Sequence, residues 1–269
     1  MISNINNFKV LINDYIFLRK NKKILDQTLK IKNSKKGKKV FLFATGHSIN
    51  ILDPQKVNNI KKDGYDIFSL GGFLFSNLNF KYEIDYYLLS DERTIWPNKF
   101  DLEDDIKIPI NETISQLNKR DIKLFLPVSA YNNHNFKNEI FYFNNTKSKL
   151  SSNNNDITKS NDFNASGLKA LLACVHLGYD EILICGLDNN FWNNIKVNSE
   201  NEILNLKSHF YEDKKYIKHK SFKLISEMLS KAAAISKSFE RFENYNIINL
   251  DPNSLLNCFN KKHNLDIYK

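Results

Sequence analysis

Two histidines and two tyrosines in one polar stretch are the side chains of this 269-residue chain best suited to proton transfer. His209 stands in Ser-His-Phe-Tyr-Glu-Asp and His219 in Tyr-Ile-Lys-His-Lys. Imidazole has an ordinary pKa that suits general-base work near neutrality. The plainer reading is a solvated loop histidine with no role. Tyr211 and Tyr216 lie in the same stretch, and a phenol can donate to a leaving phosphate without a metal. His176 sits inside an apolar helical run, where a core histidine is expected. No Asp-x-Asp pair occurs, which argues against a sugar-nucleotide site built around Mg²⁺.

A second set of residues suits a phosphate and a ribose. Residues 165–188 read ASGLKALLACVHLGYDEILICGLD. Ser166-Gly167 opens an apolar run with helical spacing, Gly178 stops it, and Glu181 to Cys185 follows as a short buried strand. The first turn of such a helix offers free backbone N–H groups and the positive end of a dipole. Ser166 could equally be an ordinary N-cap. Thr45-Gly46-His47-Ser48 follows another buried run. Small residues there either admit a phosphate or ribose to the backbone or form a tight turn. Gly71-Gly72 and Ser90-Asp91 end two further strands. Asp91 could bond a ribose or a base, or cap a turn. Asp188 emerges from a buried strand. Phe191 and Trp192 after it could cover a sugar or base ring, or pack an insertion onto the core.

These positions need strands and helices in alternation. Helical periodicity covers 5–32, and a Lys-rich link leads to a continuous apolar strand at 40–44. Asp53-Pro54 starts a helix, with Pro where its missing N–H does no harm. Strands are expected at 66–70, 84–90, 122–126, 139–143, 182–187 and 245–250. A long polar loop is expected at 144–164, helices from 166 and from 218 to about 242, and a short helix at 254–259. Residues 189–217 lack periodicity and read as a lid-like insertion. The alternation predicts an α/β fold with a doubly wound, mainly parallel sheet.

The net charge of +9 is concentrated in the first forty residues, and the remainder is close to neutral. The basic segment is either a solvated helical arm or a contact for an anionic membrane surface or glycolipid. No nucleic-acid-binding module is recognisable. Cys174 and Cys185 lie in apolar runs, as small core residues of a reduced compartment do. There is no signal-peptide pattern, and no apolar run approaches about 18 residues. A cytoplasmic protein is expected, with peripheral attachment at the inner face of the cytoplasmic membrane as an option.

Three blocks together resemble the bacterial lipooligosaccharide sialyltransferases and the related motility-accessory-factor and pterin-diphosphokinase-like group. They are Lys39–Ser48, Ser166–Asp188 and Asp251-Pro-Asn-Ser-Leu-Leu256. The middle block matches the family spacing without a gap. The likeness covers roughly residues 39–259 and leaves the N-terminal arm outside.

Charge and periodicity set off a basic helical arm at 1–38, and the resemblance implies a Rossmann-like nucleotide-sugar domain at 39–269, with its lid at about 189–217. It implies a cytidine-monophosphate (CMP) sugar donor, no metal and no other cofactor. By position, Gly46 and Ser48 would approach the donor phosphate or ribose, and Ser166 and Gly167 would contact the nucleotide. Gly71, Asp91 and Asp188 would complete the nucleotide wall. His219 occupies the place of the family's general base, with His209 as the competing base. Tyr216 matches a tyrosine near the leaving phosphate, and Tyr211 is the second such donor. The chain departs from the pattern at Gly71 and Asp91, where the sialyltransferases place Asn. It departs again at Asn190 in place of Tyr and His47 in place of Pro.

The implied activity is metal-independent, inverting transfer of a sialic-acid-type sugar to a glycan hydroxyl, in lipooligosaccharide or capsule synthesis. Two other readings stand beside it: a Mg²⁺-dependent pterin-diphosphokinase-like phosphotransferase, and a non-catalytic glycan or flagellar accessory protein. The implied partners are a nucleotide sugar, a glycan or glycolipid acceptor and an anionic membrane met through residues 1–40. A second copy of the chain is an open option, and nucleic acid is not a partner.

Overall fold

The structure is a computed structural model. It describes residues 2–46, 48–49, 52–75, 82–95, 111–112, 114–132, 134–146, 155–160, 165–189, 195–206, 216–219, 222–251 and 253–262. The chain opens with α1 (Ile2–Lys20) and α2 (Lys22–Leu29), then β1 (Lys39–Phe43), α3 (Pro54–Lys62) and β2 (Tyr65–Leu70). There follow β3 (Tyr86–Leu88), α4 (Glu92–Ile95), β4 (Lys123–Pro127), β5 (Ile140–Phe143), α5 (Ser166–Leu177) and β6 (Glu181–Cys185). The last elements are β7 (Ile195–Val197), β8 (Ile203–Leu206), β9 (Tyr216–His219), α6 (Phe222–Glu240), β10 (Ile247–Asn249) and β11 (Asn260–Lys261).

Eight strands form one sheet in the order β11-β10-β6-β1-β2-β3-β4-β5. β1 pairs with β6, β6 with β10, and β2 through β5 pair in succession, all in parallel. The sequence explains this choice. Val40 to Phe43 are apolar on both faces of the strand and all 0% exposed, which only a strand covered on both sides tolerates. The chain steps outward from β1 to β5, then returns to place β6 on the other flank of β1. That reversal is the topological switch point of the sheet. The doubly wound, Rossmann-like α/β expectation therefore holds.

The chain packs as two compact units. The first comprises Met1–Lys38, Phe68–Gly71 and Ile84–Asp180, and the second Lys39–Ile67, Gly72–Glu83 and Glu181–Lys269. In the first unit, Phe68 stacks on Tyr86 at 5.7 Å between centroids, and Phe125 lies 5.6 Å from Phe68 and 5.4 Å from Phe141. α2 is built into this unit rather than solvated all round. Its Leu25 and Thr28 are buried, and Thr28 Oγ1 accepts from the Tyr142 N–H at 2.7 Å. The Lys-rich link after it is pinned as well: Asn33 and Lys35 donate their N–H groups to the carbonyls of His176 and Leu177 at 3.0 and 2.8 Å.

α5 ends where the sequence says it should. Gly178 has a φ of 82°, the left-handed cap that glycine adopts without strain. Any Cβ there would also come within 2.8 Å of the Asn33 backbone. His176 is a core residue, 1% exposed, with Nε2 donating to the Thr28 carbonyl at 3.1 Å. Burial holds its pKa below the ordinary value of 6.5.

In the second unit Phe41, Phe43, Phe73 and Tyr82 form the ring cluster under β1. α3 starts at Asp53-Pro54 as expected: Asp53 Oδ1 accepts from the Gln55 N–H at 2.9 Å.

Three local expectations are corrected. The insertion at 189–217 is not structureless: β7, β8 and β9 form a three-stranded antiparallel sheet. Strands of three or four residues are too short to show a period, and the β7–β8 turn rests on side-chain chemistry. Asn198 Oδ1 accepts from the N–H groups of Glu200 and Glu202, and Asn201 takes a φ of 58°. The helix expected from Lys218 begins at Phe222, because Tyr216–His219 pairs with β8. The short helix at 254–259 does not form. Asp251 and Ser254 instead hold that segment in turns, and β11 follows at Asn260. Within the loop at 144–164, residues 156–158 are buried, because Asp156 Oδ1 accepts from both the N–H and the hydroxyl of Thr158.

Candidate functional site

Both carboxyl ends at the switch point lie in the second unit. After β1 the chain turns through Gly46 and Ser48, and after β6 through Gly186 and Asp188. Ser48 Oγ donates to Asp188 Oδ1 at 2.6 Å, and the Ser48 N–H donates to Oδ2 at 3.3 Å. The same Oγ accepts from the Gly186 N–H at 2.9 Å and from the Cys185 thiol at 3.6 Å. The hydroxyl thus uses its one proton and both lone pairs inside the protein. Ser48 is 8% exposed and Asp188 6%.

Gly46 owes its identity to this contact. Its N–H donates to the Gly186 carbonyl at 2.8 Å, and a Cβ built on it would lie 2.3 Å from Asp188 Oδ2. No side chain fits that gap, so the glycine is needed for the approach of Asp188 itself.

The third sequence block meets the same corner. The Ser254 hydroxyl donates to the Leu187 carbonyl at 2.8 Å, and the Leu255 N–H donates to the Asp188 carbonyl at 3.0 Å. Asp251, 3% exposed, faces the Asp188 carboxylate. Burial first, then the hydrogen bond and the negative charge of Asp188, push the Asp251 carboxyl up to about 6. The Asn253 N–H and the Lys261 charge pull the other way and only partly offset this. Below about pH 6 Asp251 therefore keeps a proton that it can donate to Asp188. Sequence reading singled out Asp188 but not Asp251; the only trace of the latter was its place in the third block of the resemblance.

The first unit holds a different arrangement. Gly71, with φ 57°, opens a turn after β2, and its carbonyl accepts from the Tyr87 hydroxyl. Asp91 is exposed and starts α4, its carbonyl accepting from the Ile95 N–H at 3.3 Å. Ser90, after β3, shares a hydrogen bond with the hydroxyl of Ser166. The N-cap of α5 is Ala165, whose own side chain makes no capping bond, so Ser166 and Gly167 are its first two helical residues. Three residues on stands Lys169, 9% exposed, which sequence reading missed because it lies in an apolar run.

The residues expected to transfer the proton are less fully placed. Tyr216 and His219 bound β9, where they pair with Leu206 and Ile203. His47, Asn190, Phe191, Trp192, His209 and Tyr211 lie outside the described residues. Among the described residues no three His, Cys, Asp or Glu side chains gather as metal ligands do, and no helix is long and apolar enough to cross a membrane. The Cys185 thiol, fully buried, has its pKa pushed up chiefly by burial, so it packs rather than reacts.

No family model and no curated protein sequence matches the chain. Among solved structures it is similar to the MAf glycosyltransferase from Magnetospirillum magneticum AMB-1, with a TM-score of 0.52 and 13% identity. The match covers 91% of this chain and 38% of that one, so the chain spans well under half of its neighbour's length. At that identity the likeness is one of fold.

Proposed function

We propose that the chain is a glycosyltransferase that takes a sugar from a CMP-activated donor of the sialic-acid type and passes it to a hydroxyl of a surface glycan. The observation that carries this reading is the meeting of all three family-like blocks at one corner, through Ser48, Asp188 and Asp251, at the switch point of the sheet. Ligands of open α/β sheets bind outside the carboxyl ends of strands at that point. The fold it shares with the MAf glycosyltransferase supports the same class.

In this mechanism the acceptor oxygen attacks the anomeric carbon and loses its proton to His219 or His209. The bond from that carbon to the phosphate oxygen breaks, and CMP leaves. By the resemblance, Tyr211 and Tyr216 donate to the leaving phosphate, and Ser166 and Gly167 contact the nucleotide. Fixed donors aimed at a developing charge contribute a few kcal/mol each, about 3–4 by analogy with oxyanion holes. Gly46, Gly71 and Asp91 remain assigned to the nucleotide. Both Asp188 oxygens accept from Ser48, which favours this metal-independent chemistry over Mg²⁺-dependent phosphoryl transfer, where carboxylates must hold the ion. α1 would bring the domain to an anionic membrane, since Ile12, Tyr15 and Ile16 are exposed and Arg19 and Lys20 close the helix.

A thermal-shift plate tests the reading, because a ligand that binds only the folded state must stabilise it. CMP should raise Tm more than the uridine, guanosine and adenosine monophosphates. If no nucleotide moves Tm, the non-catalytic accessory reading replaces this one.

A further inference from the structure

His176 joins three parts of the first unit from the last turn of α5, where it is 1% exposed. Its Nε2 donates to the Thr28 carbonyl of α2 at 3.1 Å, and a neutral ring that does so carries no proton on Nδ1. The carbonyls of His176 and Leu177 accept from the N–H groups of Asn33 and Lys35, in the link after α2. Nδ1 lies 3.5 Å from Asp156 Oδ1, and among the described residues it has no hydrogen-bond partner.

The charged groups that act on the ring are Asp156, which favours its charged form, and Lys32, which opposes it. Asp156 is already engaged. Its Oδ1 accepts from the N–H and hydroxyl of Thr158 at 3.0 and 2.7 Å, and Oδ2 lies 3.8 Å from Lys32 Nζ. A proton on Nδ1 would thus be a buried charge beside a carboxylate that other donors have largely answered. Burial outweighs the help of the Thr28 carbonyl and of Asp156, and it holds the ring below its ordinary value of 6.5. Water stabilises an imidazolium better than this pocket does, so a proton favours any opening that brings the ring to solvent. α2 and the link after it mark out such an opening. Leu25 and Thr28 are the buried side chains of α2, and Thr28 Oγ1 accepts from the Tyr142 N–H at 2.7 Å. An element held by so little buried surface opens before the core does.

We propose that His176 is an acid-operated latch between α2 and α5: the neutral ring holds α2 through the Thr28 carbonyl, and the protonated ring turns out to water and releases α2 with the link after it. The sign follows from linkage. The closed form binds the proton more weakly than the open form, so the latch is fully shut above about pH 6.5 and loosens as pH falls below it. Asp156 and Lys32 set how far it loosens, in opposite directions. The latch is independent of the glycosyltransferase reading.

Amide hydrogen exchange of the full chain from about pH 7.5 to pH 5, corrected for intrinsic rates, tests this. The amides of Asn33, Lys35 and Tyr142, which bond across the latch, should lose protection by about threefold or more. Those of Leu171 to Cys174, inside α5, should keep theirs. His176→Gln, which retains a donor toward Thr28 and cannot take up the proton, should show no such loss. Equal loss in parent and glutamine variant overturns the latch, and so does equal loss at the α5 amides, which would mean that the whole fold weakens. Should His176→Gln fail to fold, two other variants decide. Asp156→Asn keeps an acceptor for Thr158 and should steepen the loss, whereas Lys32→Met should flatten it. Identical slopes in these two overturn the proposal. NMR titration of the parent's ring is a further check: a midpoint at or above 6.5 in the folded chain reverses the sign and overturns it as well.

Discussion

Ser48 and Asp188, 140 residues apart in sequence, are joined by two hydrogen bonds from one residue to the two oxygens of the other, at 2.6 and 3.3 Å. The pair ties the turn after β1 to the turn after β6. It also fixes the carboxylate against which Gly46 and Asp251 are arranged. Ser48→Ala leaves that buried carboxylate short of a donor, which costs about 1–3 kcal/mol. In a chain of this size Tm should fall by about 3–10 °C. Scanning calorimetry reads this directly, and a variant with the parent's Tm would remove the pair from any structural role.

Gly46→Ala places a methyl group where the Asp188 carboxylate stands, 2.3 Å from Oδ2. The clash has one owner, so it should vanish with that owner. Urea melts of Gly46→Ala, Asp188→Ala and the double variant should show strong non-additivity, with a coupling of at least about 1 kcal/mol. Additive costs would mean that the glycine serves some other contact.

Asp251 gives the fold a pH dependence of definite sign. Its ordinary value is 3.8 and the folded protein raises it to about 6. Between those values the folded state keeps a proton that the unfolded chain has lost, so this group's contribution falls as pH rises through the window and is fully lost above it. Asp251→Asn, which keeps a donor toward Asp188, should remove that slope and raise Tm at pH 7.5 by a few degrees. His176 acts oppositely: its folded value lies below 6.5, so protonation of the unfolded chain weakens the fold as pH drops below that point. The difference between the parent and Asp251→Asn across pH 4–7 isolates the carboxyl. A difference that does not vary with pH would contradict the upward shift.

Loss of the true general base should slow sugar transfer by about 10²–10⁴. His219→Ala and His209→Ala, assayed for CMP release with acceptor present, should separate: one falls by that factor and the other stays within severalfold of the parent. If neither variant is slowed, a histidine base is not part of the mechanism.

The exposed Ile12, Tyr15 and Ile16 of α1 make attachment to lipid measurable. Sedimentation with vesicles containing anionic lipid should capture the chain, weaken with added salt and fail with neutral vesicles. Ile12→Asp with Ile16→Asp should abolish capture without moving Tm, since both side chains are already outside the core. Capture that survives the double change would place the contact elsewhere on the chain.

What the sequence by itself determined is local. The unbroken apolar run Val40–Phe43 specified a strand buried on both faces, Asp53-Pro54 specified a helix start, and Gly178 specified the stop of α5. Alternation of such elements was enough for a doubly wound sheet. Each of these rests on residues within a turn or two of one another. The tertiary structure alone decided the rest. It set the bond from Ser48 to Asp188, the upward shift of Asp251 beside Asp188, the docking of Thr28 under Tyr142 and the burial of Lys169 against Phe143. The small sheet of the insertion belongs to the same class, because three-residue strands are stable only as a set. In each case the energy comes from excluding water around groups distant in the chain. Composition and spacing do not record which groups those are.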